Sequence, residues 1–270
     1  MTSDSSSEQK SNGYDNLVDN SMPSSEKEKV LVLCRAVPEE SKKYFQVVCV
    51  AGVTDKGELR RLYPVPFKPF APGGGIPFHK KEWITAVLRP PDDKRDKRVE
   101  SRKVDMTTVK VVGREDDDGV RRIIKSNLAL NIGSIEESGA SLGFIRPKIL
   151  DYECEIVSTE VDREPDYATL DGMVAPRVKL DHESIYHFVC QDRSSCTCLK
   201  HPHRMGIHDW EANELYRNVA RRDKNPEVIK MKMREKWLDW MKTRDTYFMV
   251  GTHHRWKNWM VISVLYLRPH

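Results

Sequence analysis

Between Cys190 and His208 the chain gathers Cys190, Cys196, Cys198, His201, His203 and His208, half of its six cysteines and a third of its nine histidines. Thiols and imidazoles at that density are zinc donors, and in a reducing compartment they point to metal rather than to disulfides. The spacing C-x5-C-x-C-x4-H assigns Cys190, Cys196, Cys198 and His203 as ligands, with His201 and His208 as alternates for the fourth place. The C-x-C step is tighter than the usual C-x2-C knuckle. That departure offers an alternative set in which only one of Cys196 and Cys198 ligates and two histidines complete it. An iron–sulfur cluster is the alternative cofactor, since three thiolates and a histidine can hold one. Thiolates are closed-site ligands, so a metal bound here is structural.

Two further constellations bear on chemistry. His203, His208, Asp209 and Glu211 form an H-x4-H-D-x-E string that suits a hard divalent ion and a hydrolase or nuclease; against this, Asp209 is well placed as a helix cap and Glu211 in a first helical turn. Trp237, Trp240, Trp256 and Trp259 are interleaved with lysines and arginines, the combination on which single-stranded DNA or RNA stacks and tracks its backbone. The expected contacts are Arg60, Arg61 and Tyr63 at the end of a strand, and Arg255, Trp256 and Lys257 in a basic turn. A protein-interaction adaptor using its aromatic face is a third reading. Cys34, Cys49 and Cys154 sit in apolar runs and read as small core residues.

The net charge of +4 is unevenly spread. From Leu199 onward there are fifteen Lys or Arg against eight Asp or Glu, so the positive potential belongs to the C-terminal part and favours an acidic partner. No stretch approaches the ~20 apolar residues of a membrane span. The first residues carry no apolar leader core, which predicts a cytoplasmic protein.

The elements that must position these groups are α+β. Residues 1–28 are polar and predict a disordered tail. Residues 29–142 read as a small β-barrel-like half: strands at Lys29–Cys34, Phe45–Val53, Glu58–Val65, Trp83–Leu88 and Thr107–Gly113. Pro- and Gly-rich loops separate them, and a short helix follows over Val120–Ala129. Residues 143–270 read as a mixed half, forming one cooperative unit with the first. Phe144–Val161 gives one or two strands and Ser184–Cys190 delivers the first cysteine. Asp209 and Asn225-Pro226 start two helices, and Thr246–Gly251 with Asn258–Leu267 close a terminal hairpin. No serine elbow, dinucleotide fingerprint or phosphate loop is present.

Ser41-Lys42-Lys43-Tyr44, Val48-Cys49-Val50-Ala51-Gly52-Val53, Arg61-Leu62-Tyr63-Pro64-Val65-Pro66-Phe67 and Lys81-Glu82-Trp83-Ile84 resemble the opening of a family of uncharacterised bacterial and archaeal proteins. His203-Arg204-Met205-Gly206-Ile207-His208-Asp209-Trp210-Glu211, Leu215-Tyr216-Arg217 and Tyr247-Phe248-Met249-Val250-Gly251-Thr252 are similar to the same family. The resemblance implies a single prokaryotic unit and carries over no catalytic residue.

Overall fold

The structure is a computed structural model and describes residues 26–41, 43–70, 75, 77–92, 96–157, 167–168, 174–175, 182–194, 196–253 and 257–269. The expected tail falls mostly outside the described residues, although Glu26–Glu28 already belong to the first strand. β1 (Glu26–Arg35) pairs antiparallel with β3 (Phe45–Thr54) and with β5 (Glu82–Arg89). β3 pairs with β4 (Leu59–Pro66), β5 pairs with β6 (Ser101–Arg114), and a short parallel pairing at Arg61 and Leu62 joins β4 to β6. These contacts close a ring, β1-β3-β4-β6-β5-β1, with the short β2 (Glu39–Ser41) added outside β3. The stretch β5-β1-β3-β4 has the Greek-key order, the fourth ring strand returning beside the first.

The continuous apolar run in β1 has a structural reason. Val30 and Val32 point into the ring, where they meet Val48, Val50, Leu62 and Ile84. Leu31 and Leu33 point out, against Phe144, Tyr247, Met249 and Ile262 of the other half. A strand buried on both faces cannot alternate in polarity. β3 crosses β1 so closely there that a Cβ on Gly52 would lie 1.9 Å from the Leu31 carbonyl oxygen.

α1 (Asp117–Ser126) is capped by Asp116 and leads into α2 (Ile132–Glu137), β7 (Leu142–Ile145) and β8 (Pro147–Ile156). A two-residue pair follows, β9 (Tyr167–Ala168) with β10 (Val174–Ala175). β11 (His182–Cys190) lies between β8 and β12 (His203–Gly206). β13 (Asp245–Thr252) lies between β7 and β14 (Trp259–Leu267), so the terminal hairpin forms as the sequence indicates. β13 is again buried on both faces: Tyr247 and Met249 meet the ring, while Phe248 and Val250 enter the C-terminal core. The β7-β13-β14 sheet is therefore the middle layer, with the ring on one side and β8-β11-β12 with the helices on the other.

Both expected helices are present. Asp209 accepts from the Glu211 amide to cap α3 (Trp210–Arg222), and Asn225 caps α4 (Pro226–Arg234), which continues through a π-helical turn, Glu235–Trp240. Along the predicted face Ile229, Met233, Trp237 and Met241 are buried. Trp237 is thus core, not a stacking platform. Trp240 is half-buried under the Lys236 ammonium and beside Tyr266, and Trp259 is held by Glu136. Among the described residues no helix is long and apolar enough to cross a membrane.

His182 at the start of β11 stacks on Tyr216 of α3, with ring centroids 3.7 Å apart. Burial depresses its pKa from 6.5 to about 4. The unfolded chain therefore takes up the proton first. The stability this neutral imidazole allows is fully present above pH ~6.5 and is lost as pH falls toward ~4. The stability difference between wild type and His182→Phe, measured by denaturant titration, is expected to move against the wild type by about 2–3 kcal/mol from about pH 7 to about pH 4.5. An unchanged difference would mean that His182 is not buried neutral.

Candidate metal centre and the groove beside it

β11 ends at Cys190, a 3-10 turn over Thr197–Leu199 follows, and β12 begins at His203, opposite Phe188 of β11. This hairpin-like return brings Cys190, Cys196, Cys198 and His203 together, all four buried, with their ligand atoms within 4.8 Å of one another. Cys190 Sγ lies 3.9 Å from Cys196 Sγ and 3.6 Å from His203 Nε2, and Cys196 Sγ lies 3.2 Å from the same nitrogen. A single tetrahedral ion at zinc bond lengths sets its sulfurs about 3.8 Å apart and each about 3.6 Å from the nitrogen. The group thus fits one metal ion.

Both cysteines of the C-x-C step belong to the group, so the assigned set assembles and the alternative with only one of them does not. On extended chain the Cα atoms of such residues lie about 6.6 Å apart, so their sulfurs meet only where side chains or backbone turn inward. Here Cys196 has extended backbone and caps the 3-10 turn, whose tightening brings Cys198 back to it. His201 is exposed on the far side of the turn, and His208 lies elsewhere, so neither alternate joins the set.

Hydrogen bonds favour the thiolate at Cys196 alone, while burial raises Cys190 and Cys198. Burial pushes Cys196 up, but the backbone amides of Cys198 and Gly133 and the neighbouring thiols outweigh it, leaving its pKa below the ordinary value. Burial raises Cys190, opposed by the Ile132 amide. Burial also keeps His203 neutral, the form that ligates. The amides of Ile132 and Gly133 come from the first turn of α2, whose cap Asn131 also donates to the Ser194 carbonyl at 2.5 Å. Sequence reasoning missed this helix; its signal was Asn131 followed by Ser134, a reciprocal cap ahead of Ile132 and Ile135.

The H-x4-H-D-x-E string does not assemble into a hydrolytic site. His203 is in the Cys/His group. Asp209, 0% exposed, holds the Lys80 ammonium at 2.7 Å and accepts from Ser263 Oγ, the Val264 amide and the Glu211 amide. Glu211 accepts from the Tyr266 hydroxyl. Among the described residues, Cys190, Cys196, Cys198 and His203 alone form a metal-ligand group.

The expected nucleic-acid contacts are also placed differently. Arg60 is bound by Glu28 at 2.7 Å and Glu58 at 2.6 Å. Arg61, 2% exposed, donates to the Ser141 carbonyl across the interface between the halves, so neither guanidinium faces a polymer. Tyr63 is half-buried, its hydroxyl pushed up to about 12 by burial and by Glu39. Lys257 is exposed, while Arg255 and Trp256 lie outside the described residues.

A different surface collects cations. A groove of about 600 Å³ runs beside the Cys/His turn, lined by Arg146, Lys148, Arg193 and Lys200 and by no carboxylate. Arg146 is ion-paired with Asp245 at 3.0 Å, which leaves three cations without an ion pair among the described residues. Leu150 and Leu199, 40% and 63% exposed, border it. No sequence motif marks this groove, because β8 and the metal turn supply its charges from separate parts of the chain.

No curated protein matches the chain. A solved structure of a replication protein A heterotrimer bound to ssDNA is similar at 9% identity and a TM-score of 0.28, over 92% of this chain and 67% of that one. That likeness is too distant to assign a fold or a ligand. Two family profiles match: residues 26–126 fit a domain of unknown function, DUF8758, and residues 129–270 fit another, DUF8757. With more than half of its length matched by the second profile, the chain belongs to the DUF8757 family.

Proposed function

We propose that the protein binds single-stranded nucleic acid along the groove beside a structural zinc centre. The observation that carries this reading is the groove's lining, four cations and no carboxylate interleaved with exposed leucines. Such a surface attracts phosphates and leaves apolar area for sugars or bases. Zinc suits three thiolates and one imidazole gathered around one point, whereas the thiolates of a multi-iron cluster bind different irons and spread further apart. Cys190, Cys196, Cys198 and His203 would hold the ion, which supplies cross-linking of four donors and no open position. The turn so fixed carries Arg193, Leu199 and Lys200. Six free cysteines suit a reducing, cytoplasmic compartment.

The ring supports the reading more weakly. A five-stranded closed Greek key is the plan of the small oligonucleotide-binding barrel, whose second and third strands form the ligand face. In this chain that face is covered: Ala51 and Val53 of β3 pack on the β7-β13-β14 sheet, and Arg61 of β4 bonds to Ser141. The exposed groove is therefore the better surface for a polymer.

Fluorescence anisotropy with a labelled single-stranded oligonucleotide tests this. Affinity is expected to fall steeply with salt. Replacing Lys148, Arg193 and Lys200 together with Gln should flatten the slope of log K against log salt by about 2, three phosphates at ~0.7 each. Binding that ignores salt, or an unchanged slope in the triple variant, would sink the proposal.

A further inference from the structure

The sequence motifs that the groove leaves unused meet at a second place, a narrow cleft between the ring and the β7-β13-β14 sheet. Cys49 of β3, Arg61 and Tyr63 of β4, Arg98, His208 and His253 line it together with one carboxylate, Glu39 of β2, and it shares no residue with the groove. At about 40 Å³ it has room for roughly three waters. That suits one tetrahedral oxyanion and excludes a nucleoside.

Arg61 sets the chemistry. Its guanidinium packs so tightly on Gly251 that a Cβ there would lie 2.7 Å from Nη2. It donates to two neutral acceptors, the Ser141 carbonyl at 2.9 Å and the Cys49 thiol at 3.5 Å, while buried Nε has no partner. Among the described residues it makes no ion pair. Most neighbouring charges are spent otherwise: Arg98 is clamped by Asp96 at 2.8 Å and gives Nη1 to the Thr252 carbonyl, and both oxygens of Glu100 accept from Ser141, while Glu39 is exposed at the rim and makes no ion pair with Arg61. A buried, uncompensated cation is costly, and a small anion in contact with it offsets the cost. Burial holds His208 neutral on the same wall, where its ring can donate one N–H.

We propose that this cleft binds a phosphate-sized oxyanion on Arg61, either free inorganic phosphate or the terminal phosphate of a strand. The site does not rest on the groove, because its ligand is a single dianion rather than a polymer backbone.

Cys49 reports occupancy in the unaltered protein. It is the one cysteine of six that is not buried, so mass spectrometry can follow its alkylation by iodoacetamide separately. At constant ionic strength, phosphate in place of chloride is expected to slow Cys49 alkylation saturably, about tenfold at ten times its dissociation constant. Phosphorus-31 NMR gives the same answer without the thiol, as broadening of the inorganic phosphate line by wild-type protein. His253→Ala, a change at the cleft wall away from the core, should weaken both effects, and Arg61→Gln should abolish them. Protection by phosphate alone identifies a free-anion site. Additional protection by a 5′-phosphorylated oligonucleotide, but not by its 5′-hydroxyl form, identifies capture of a strand end. An unslowed Cys49 together with a free-solution phosphate linewidth overturns the proposal, and does so whether or not the groove binds DNA.

Discussion

Cys198→Ser is expected to empty the metal site and to lower the unfolding midpoint by about 10–20 °C, the equivalent of roughly 5 kcal/mol in a chain of this size. All four donors are buried inside the C-terminal hydrophobic core, in contact with Ile132, Phe188 and Val189 of the surrounding layers. Without an ion the site leaves three buried thiols and an imidazole crowded together, held only by one another and by backbone amides. The turn between β11 and β12 then loses the cross-link that sets its shape, and with it the placement of Arg193 and Lys200. Calorimetry paired with elemental analysis reads both effects, and a strong chelator should bring the wild-type protein to the same midpoint. A serine variant that keeps one equivalent of metal and the wild-type midpoint would show that Cys198 is not a ligand.

The second large effect belongs to Asp209. Its carboxylate joins three parts of the fold: Lys80 ahead of β5, Ser263 and Val264 of β14, and the first turn of α3. Ser263 Oγ also lies 2.9 Å from the Leu33 carbonyl of β1, the other acceptor in reach of its one proton, and the His208 carbonyl accepts from the Val37 amide, so the network crosses between the halves. Asp209→Ala leaves the Lys80 ammonium with only Glu211 at 3.5 Å and removes the acceptor of three donors, and should cost about 3–5 kcal/mol in denaturant unfolding. Asp209→Asn keeps an acceptor for the helix cap and should cost less. Adding Lys80→Met to Asp209→Asn should recover part of the loss, because no unpaired charge is then left inside. A near-neutral Asn beside an Ala that costs only about 1 kcal/mol, with no gain from Lys80→Met, would reduce Asp209 to a simple cap.

The parts of this structure legible in the sequence are those with local causes. The Asp209 and Asn225-Pro226 starts were readable because capping is settled within a few residues. The β13–β14 hairpin and the ring strands announce themselves through apolar runs bounded by turns. The four metal donors were readable from residue type and spacing, while the shape of their loop was not: a 3-10 turn after Cys196 folds the C-x-C step in. The misplaced contacts failed for a physical reason. Arg60 and Arg61 look like a basic strand end, yet Glu28 sits on β1, beyond the intervening β3, and Ser141 lies eighty residues away, and neither partner is visible locally. The cationic groove is invisible for the converse reason, since its charges converge only after folding.

X-ray absorption at the metal edge, with elemental analysis, of protein purified without added metal reads the Cys/His site itself. One zinc per chain is expected, with three sulfurs at about 2.3 Å and one nitrogen at about 2.0–2.1 Å. A metal–metal vector, an oxygen ligand in the first shell, or protein that is folded and free of metal would contradict that expectation.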